Sequence, residues 1–569
     1  MGQRSSRGHG QRNGQRGRQR RSRGLVTAVI CAAVLALALA GAAGSYLLLR
    51  TKGSPGQTAA SYLRSWQLGR YPAMDAVSAG QPPGGVSGPL RQAGADLGVR
   101  RLRLTLRQVT VNGGSALARF TASAELGGGH TWTYQGRLQL VRRNRRWLVN
   151  WSPAAIYPAL RAGERFALSA AWPARAPILG ADGSLLSSDQ AIAQSGSLAL
   201  LTGNVATATA AQARKLGPPY RAGDLFGVGG IEQAYQAQLA GRPSLIITIT
   251  GPGRRAGGVA ARFGAQPGTP VRTSIEMRYQ LAASRAVQAA ATARPVDVVV
   301  IQPSTGRVLA VVERPGGFDR ALDGEFPPGS TFKVVTASAL ARAGLGPASP
   351  VQCPAAADIG GRVFHNDNNE QLGATSLQTA FAVSCNTTFA LQATQRLSGT
   401  ALASAAVQFG FNAAPALGVA AVLGQFTTPG QSVDLAADAF GQGTDLVSPL
   451  SQAAEAAAIG SGTWRPPVLV TSPAPRQSAA PRPLSAAVLA ALRPMMAAVV
   501  TSGTARGVGL PAGVHGKTGT AEYGSGANPP SHAWFIGYRA DVAFAVLVEG
   551  GGTGASSAAP IANAFLRRL

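Results

Sequence analysis

Pro327-Pro328-Gly329-Ser330-Thr331-Phe332-Lys333 reads as the entry to a helix. Proline is tolerated in a first helical turn, and glycine lets the backbone enter it tightly. Ser330 then stands at the helix N-terminus, and Lys333 follows one turn on with its side chain on the same face. A serine hydroxyl is a weak nucleophile that needs a base within hydrogen-bond reach. Lysine serves as that base only when burial or a neighbouring cation lowers its pKa. The positive end of the helix favours the alkoxide that would form. The lysine inventory supports this pairing. The only lysines are Lys52, Lys215, Lys333 and Lys517, in a chain with 53 lysines and arginines together. Arginine stays protonated and cannot act as a base, so lysine is expected to persist where a base is required.

Composition bounds the rest. A chain of 569 residues is long enough for several domains. With 45% hydrophobic and only 14% charged residues it can bury several cores. The formal net charge of +29 reflects arginine enrichment and one basic tail. A nucleic-acid partner would call for a basic stripe with groove-reading or aromatic elements, and the sequence contains none, so nucleic acid is not expected as a partner. A basic surface does favour an anionic envelope. Of the three cysteines, Cys31 lies in an apolar run. Cys353 and Cys385 could pair if the fold brought them together, but a free buried thiol is the expectation for each. There is no Cys-x-x-Cys, and the five histidines are dispersed, so neither a metal site nor a cofactor is expected.

Along the chain, residues 1–24 carry eight arginines and no acid and cannot form a core. Residues 25–49 form an uncharged apolar run long enough to span a bilayer. The basic segment before it should remain cytoplasmic, which places the remainder outside the membrane. A cleaved signal peptide is the alternative, with small residues at Ala38, Gly41 and Ala43; the length of the run favours a retained anchor. Residues 54–160 read as a small α+β domain. It has a helix over 59–68 and strands over 102–106, 116–122, 130–141 and 146–151, forming a curved sheet against the helix. Residues 161–270 are loop-rich, with a strand, turn and strand over 177–186 and a helix over 230–241. They read as a platform without catalytic residues.

From 271 the pattern changes. A helix from Met277 to about residue 291 is followed by a hairpin of strands 297–301 and 308–312, then the Ser330 helix, then a helix-rich middle to about 459. Strands return at 516–520, 533–538 and 542–549, before a last helix over 560–569. This order predicts one sheet assembled from both ends of the domain, with helices covering its faces.

Two further motifs join Ser330 and Lys333. Ser384-Cys385-Asn386 offers a hydroxyl and an amide two residues apart. By itself such a pattern is most often a cap or turn. Lys517-Thr518-Gly519-Thr520-Ala521-Glu522 reads as a strand edge whose glycine admits another backbone. Ser502-Gly503-Thr504-Ala505 upstream reads as a loop.

Ser-x-x-Lys, Ser-x-Asn and Lys-Thr-Gly in that order form the signature of penicillin-binding proteins and class A β-lactamases. The segment from about Thr273 onward resembles the transpeptidase domain of class B penicillin-binding proteins. The likeness extends to Gly441-Gln442-Gly443 and Ser448-Pro449-Leu450. Arg175 to Leu179 and Gly230-Ile231-Glu232 resemble that family's pedestal or dimerisation region. Residues 54–160 resemble the NTF2-like domain of some members, including the low-affinity methicillin-resistance type. The resemblance implies a multidomain α+β protein. Its parts would be a cytoplasmic tail (1–24), a transmembrane helix (25–49), an NTF2-like domain (54–160), a pedestal (161–270) and a β-lactamase-like transpeptidase domain of antiparallel sheet covered by helices (271–569).

It also implies roles. Ser330 would attack the penultimate D-Ala carbonyl of a peptidoglycan stem peptide, with Lys333 as base. Ser384 and Asn386 would relay protons and hold the substrate amide. Lys517 would lower the pKa of Lys333 and orient Ser384. Thr518, Gly519 and Thr520 would bind the substrate, the two hydroxyls taking the terminal carboxylate. The N–H groups of Ser330 and Thr520 would form the oxyanion hole. β-Lactams would acylate Ser330 and stall there. A single-pass location in the cytoplasmic membrane, a catalytic domain outside it and a glycosyltransferase partner are further implications. Cys385 stands where class A β-lactamases have Asp, which favours cell-wall synthesis over drug hydrolysis. No glycosyltransferase module is found before residue 160, so a bifunctional class A enzyme is not expected. The competing readings are a D,D-carboxypeptidase or serine β-lactamase, and a β-lactam-binding sensor or scaffold without essential catalysis.

Overall fold

The computed structural model describes residues 29–42, 53–252, 258–476, 479–525 and 529–569. Residues 29–42 are helical. Among the described residues no helix is long and apolar enough to cross a membrane. The rest of the apolar run 25–49, and the basic tail 1–24, lie outside the described residues. The chain divides into two compact units.

The first unit reaches Ala170 and takes in Gly217–Pro219 and Leu245–Phe263. It opens with helix α1 (Pro55–Gln67), earlier than the apolar pattern from residue 59 implies. The cause is a capping box: the Ser54 side chain accepts from the Gln57 N–H, Gln57 reciprocates, and Pro55 occupies the first turn. Ala59, Tyr62, Leu63 and Trp66 form its buried face. Helix α2 (Ser87–Leu97) has no counterpart in the expected elements; its pattern is diluted by glycine and alanine, and it buries Leu90 and Leu97.

Five strands form the sheet, β1 (Ser78–Ala79), β2 (Arg101–Asn112), β3 (Ser115–Glu125), β4 (Thr131–Arg143) and β5 (Arg146–Asn150), in the order β1-β5-β4-β3-β2. β2 is longer than expected because β3 pairs with it from Arg101 opposite Glu125 to Asn112 opposite Ser115. The segment expected as a pedestal, 161–270, is divided. Strands Arg165–Ala171, Ser244–Thr250 and Gly258–Phe263 form a three-stranded sheet. Phe166, Leu168, Leu245, Ile247 and Ile249 alternate inward into the core of the first unit. Most of the rest belongs to the second unit. There, the helix expected over 230–241 is two short ones, Gly230–Ala234 and Gln236–Ala240, broken at Tyr235 (φ −111°, ψ 27°).

The second unit is built on one antiparallel sheet. Its strands are β6 (Val296–Ile301), β7 (Val308–Arg314), β8 (His515–Glu522), β9 (Ser531–Arg539) and β10 (Val542–Val548), in the order β7-β6-β10-β9-β8. The two ends of the sequence meet where β6 pairs with β10 along its whole length, Val296 opposite Val548 to Ile301 opposite Ala543. Every residue of β6 is buried, so both faces are covered. The covering helices include α3 (Met277–Gln288), α7 (Pro449–Ser461) and α9 (Ala559–Leu566). Between the sheet halves lie α4 (Lys333–Arg342), α5 (Leu377–Ala382) and α6 (Asn386–Arg396).

α4 is buried on all sides from Lys333 to Ala341, its polar Lys333, Thr336 and Ser338 included. The middle is less helical than expected. Pro350–Cys353 pairs with Gly373–Ser376, and Ala356–Ile359 with Arg362–His365, in two small hairpins. Helix α8 (Ala486–Thr501), unanticipated from the sequence, leads into β8.

Candidate active site

Ser330 lies in a tight 3₁₀ turn, Gly329–Phe332, and Lys333 begins α4 directly after it. The turn is held from two sides. Trp534 Nε1 donates to the Pro327 carbonyl at 3.0 Å, and the Gly329 N–H donates to the Gly441 carbonyl at 3.0 Å. Gly329 has φ +53°, and a Cβ there would meet the Thr520 carbonyl oxygen at 2.4 Å. Only glycine allows the nucleophile's turn to lie this close to strand β8.

Lys333 is fully buried. Its Nζ is 2.9 Å from Ser330 Oγ, 2.6 Å from the Ser384 carbonyl oxygen, 2.6 Å from Asn386 Oδ1 and 3.1 Å from Ser384 Oγ. Burial pushes the amine well below its usual range; the Lys517 charge adds to this and Asp367 opposes it. A neutral amine has two N–H donors and one lone pair. The Ser384 carbonyl and Asn386 Oδ1 can only accept, so they take the two N–H groups. The lone pair is then left for the Ser330 hydroxyl. Asn386 is oriented for this by its Nδ2, which donates to the His365 carbonyl at 3.1 Å.

Lys517 is also fully buried, and burial lowers its amine to about 7. Its Nζ donates to Ser384 Oγ at 2.9 Å and to the Thr518 carbonyl at 2.9 Å. The Ser384 hydroxyl thus bridges two buried lysines. Ser384 itself has φ +68°, a left-handed conformation costing a non-glycine residue about 1 kcal/mol. Of the three residues between α5 and α6 only Ser384 is strained, and its conformation brings the Ser384 carbonyl and hydroxyl together onto Lys333.

Thr520 completes the centre. Its carbonyl accepts from Gln442 Nε2 at 3.3 Å, on the β8 edge away from β9. In an antiparallel strand a residue's N–H and C=O point to the same side, so the Thr520 N–H leaves the sheet on the edge facing the Ser330 turn. Ser330, Ser384, Asn386, Thr518 and Thr520 line one cleft of about 500 Å³. Lys333 and Lys517 lie beneath it, and Gly519 packs against Thr331 and Trp534. All eight site residues named from the sequence therefore converge.

The structure adds residues the sequence did not single out. Gln442 was visible only inside its Gly-Gln-Gly motif. Asn366, 7% exposed, is the hub of the cleft wall. Its Nδ2 donates to the carbonyls of Pro354 and Glu370, both at 2.8 Å, and its Oδ1 accepts the Thr387 N–H at 3.0 Å. No local pattern marks it, because Pro354 and Thr387 lie 12 and 21 positions away. Cys353 and Cys385 are joined in a disulfide, correcting the expectation of free thiols. Strand Pro350–Cys353 lies beside α6, which brings the two sulfurs together at the Ser384-Cys385-Asn386 element. Cys31 is free and exposed. Among the described residues no group of three or more His, Cys, Asp or Glu could hold a metal ion.

Comparison with known proteins agrees with this geometry. Residues 297–567 match the penicillin binding protein transpeptidase domain. Residues 54–164 match the NTF2-like N-terminal transpeptidase domain. The chain is 31% identical over 399 residues to the peptidoglycan D,D-transpeptidase PbpA of Mycolicibacterium smegmatis, covering 59% of this chain and 78% of that protein. It is 30% identical over 355 residues to the PbpA of Mycobacterium tuberculosis, covering 52% and 72%. In fold it is similar to Pseudomonas aeruginosa PBP2, crystallised in complex with WCK 5153. The TM-score is 0.59 at 24% identity, over 70% of this chain and 96% of that one.

Proposed function

Because this chain belongs to the penicillin-binding protein transpeptidases that carry an NTF2-like N-terminal domain, we propose that it is a serine D,D-transpeptidase that cross-links peptidoglycan stem peptides. The observation that carries the reading is the fully buried Lys333, whose Nζ is 2.9 Å from Ser330 Oγ and 2.6 Å from both the Ser384 carbonyl and Asn386 Oδ1.

Ser330 Oγ attacks the carbonyl carbon of the penultimate D-Ala, and its proton passes to Lys333 Nζ. The oxyanion is held by the N–H groups of Ser330 and Thr520, an interaction typically worth about 3 kcal/mol in the transition state. The C–N bond breaks as the leaving D-Ala nitrogen takes a proton through Lys333 and the Ser384 hydroxyl, giving an ester on Ser330. Asn386 holds the donor's amide, and Thr518 and Thr520 its terminal carboxylate. The amine of a neighbouring stem peptide then attacks the ester and gives up a proton by the same route. The cross-link forms and Ser330 is regenerated. A β-lactam follows the first half only: its opened ring keeps the leaving nitrogen tethered, so the ester persists.

The apolar run 25–49 would anchor the chain once in the cytoplasmic membrane, with the arginine-rich tail inside and the catalytic unit outside. A glycosyltransferase partner would supply the glycan strands to be cross-linked.

The test is labelling of the purified protein with a fluorescent penicillin, mass spectrometry of the adduct, and cross-linking of stem peptides with an acceptor amine. A persistent adduct on Ser330, absent in Ser330→Ala, together with an amide product is expected. Rapid release of hydrolysed drug would instead identify a β-lactamase, and water as the sole acceptor a carboxypeptidase. A Ser330→Ala variant that still complemented a deletion would identify a scaffold.

A further inference from the structure

The loop between α8 and β8 enters none of these steps, yet it reaches the cleft. We propose that its Thr504 is a specificity-determining positioning residue, which fixes the Thr518 hydroxyl so that the cleft selects donors ending in a free carboxylate. This inference rests on the transpeptidase reading above.

Thr504 Oγ1 and Thr518 Oγ1 are 2.6 Å apart, and both side chains line the cleft with Ser330. Of the two hydroxyl protons, one lies between the oxygens and the other is free. A carboxylate only accepts, so the Thr518 proton must point at it. Thr504 must then donate to Thr518. The chain runs from Thr504 O–H to Thr518 Oγ1 and from Thr518 O–H to the carboxylate, each bond polarising the next. Thr520 shares the carboxylate through its own hydroxyl, but two other neighbours do not substitute for Thr504 in orienting Thr518. Lys517 Nζ is engaged by Ser384 Oγ and the Thr518 carbonyl. Thr553, also in the cleft, pairs with Ser556 at 2.8 Å.

The loop's seat explains its accuracy. The Thr504 N–H donates to the Ala382 carbonyl at 3.0 Å. A Cβ on Gly503 would lie 2.2 Å from that same oxygen, so only glycine lets the loop settle there. Ala382 ends α5, two residues before Ser384. The donor-selecting hydroxyl and the proton-relay serine are thus set from one support.

The experiment uses the full-length protein with two donors, a peptide ending in D-Ala-D-Ala and the same peptide with its terminal carboxylate amidated, and a fixed acceptor amine. In Thr504→Val, KM for the free-acid donor should rise about ten-fold, a change of ~1.4 kcal/mol, with kcat within about two-fold. Use of the amidated donor should hardly move, so the acid-over-amide preference falls about ten-fold. Thr504→Ser, which keeps the hydroxyl, should retain the wild-type preference. If valine prevents folding, judged by melting, Thr504→Ala gives the same comparison. An unchanged preference, or equal losses with both donors, overturns the proposal while leaving the transpeptidase reading intact. A wild-type protein that transfers from neither donor and is not acylated by penicillin overturns both.

Discussion

Lys333 decides the chemistry of this protein by its protonation, and burial decides that protonation. Lys333→Arg keeps a long basic side chain but gives a group that stays charged and cannot lose its proton. It should reduce acylation by penicillin by a factor on the order of a thousand or more, the scale of losing a positioned general base. The pH dependence has a definite sign. Burial, aided by the Lys517 charge, lowers the Lys333 amine, and burial lowers Lys517 to about 7. Acylation should therefore quicken as pH rises toward and past 7 and level off once the amines are neutral. Stopped-flow acylation across that range is the check, and a rate that rises on acidification would contradict the assignment of Lys333 as base.

The small hairpins and their connections, rather than the large sheet, hold the element that carries Ser384. Asn366 ties the residues around Pro354 and Glu370 to the first turn of α6. Asn366→Asp replaces a donor by an oxygen facing two carbonyls, at a cost of about 2–3 kcal/mol. It should lower the melting temperature and slow acylation together, because Asn386 is the residue before Thr387. The Cys353–Cys385 bond closes the same region, with a sequence separation of 32. For a loop of that length the chain-entropy model gives about 3–4 kcal/mol. A Cys353→Ser, Cys385→Ser double variant should melt lower by a corresponding amount and acylate more slowly. Unchanged melting in differential scanning calorimetry would show that the bond adds nothing to the packing already present.

Stability of the whole catalytic unit carries its own pH signature. Four carboxylates, Asp297, Glu313, Asp319 and Glu549, gather around Arg320 where β6 begins and β7 and β10 end. Arg320 Nε is 3.0 Å from Glu549 and 3.5 Å from Asp297. Burial foremost, then the Asp319 charge, raises Glu313 from 4.5 to about 7. A group raised in the folded state contributes stability at low pH that is lost as pH climbs through its folded value. Glu313→Gln should then stabilise the unit at pH 8 by about 1–2 kcal/mol, seen as a higher melting temperature, and change it little at pH 5. Equal effects at both values would show that the carboxylate is already charged at pH 5.

What was legible before the fold was known is what local order can encode. Helix signals and period-two strands placed the sheet's five strands, since each is fixed by neighbours a few positions away, and three short motifs, read through the family they resemble, named the eight residues that the fold brings together. The early start of α1 was legible too, in the Ser54 capping box, although the apolar pattern alone obscured it. Alanine-rich α8 and glycine-diluted α2 were not legible, because their faces gain meaning only against the partners that bury them. Tertiary structure alone decided the disulfide, the Asn366 hub, the carboxylates around Arg320 and the Thr504–Thr518 pair. Each includes partners at least fourteen positions apart, and no local spacing rule reaches across such a gap. The same holds for the depressed lysine amines: the motifs name Lys333 and Lys517, but only the packed core around them removes the water that would keep them charged.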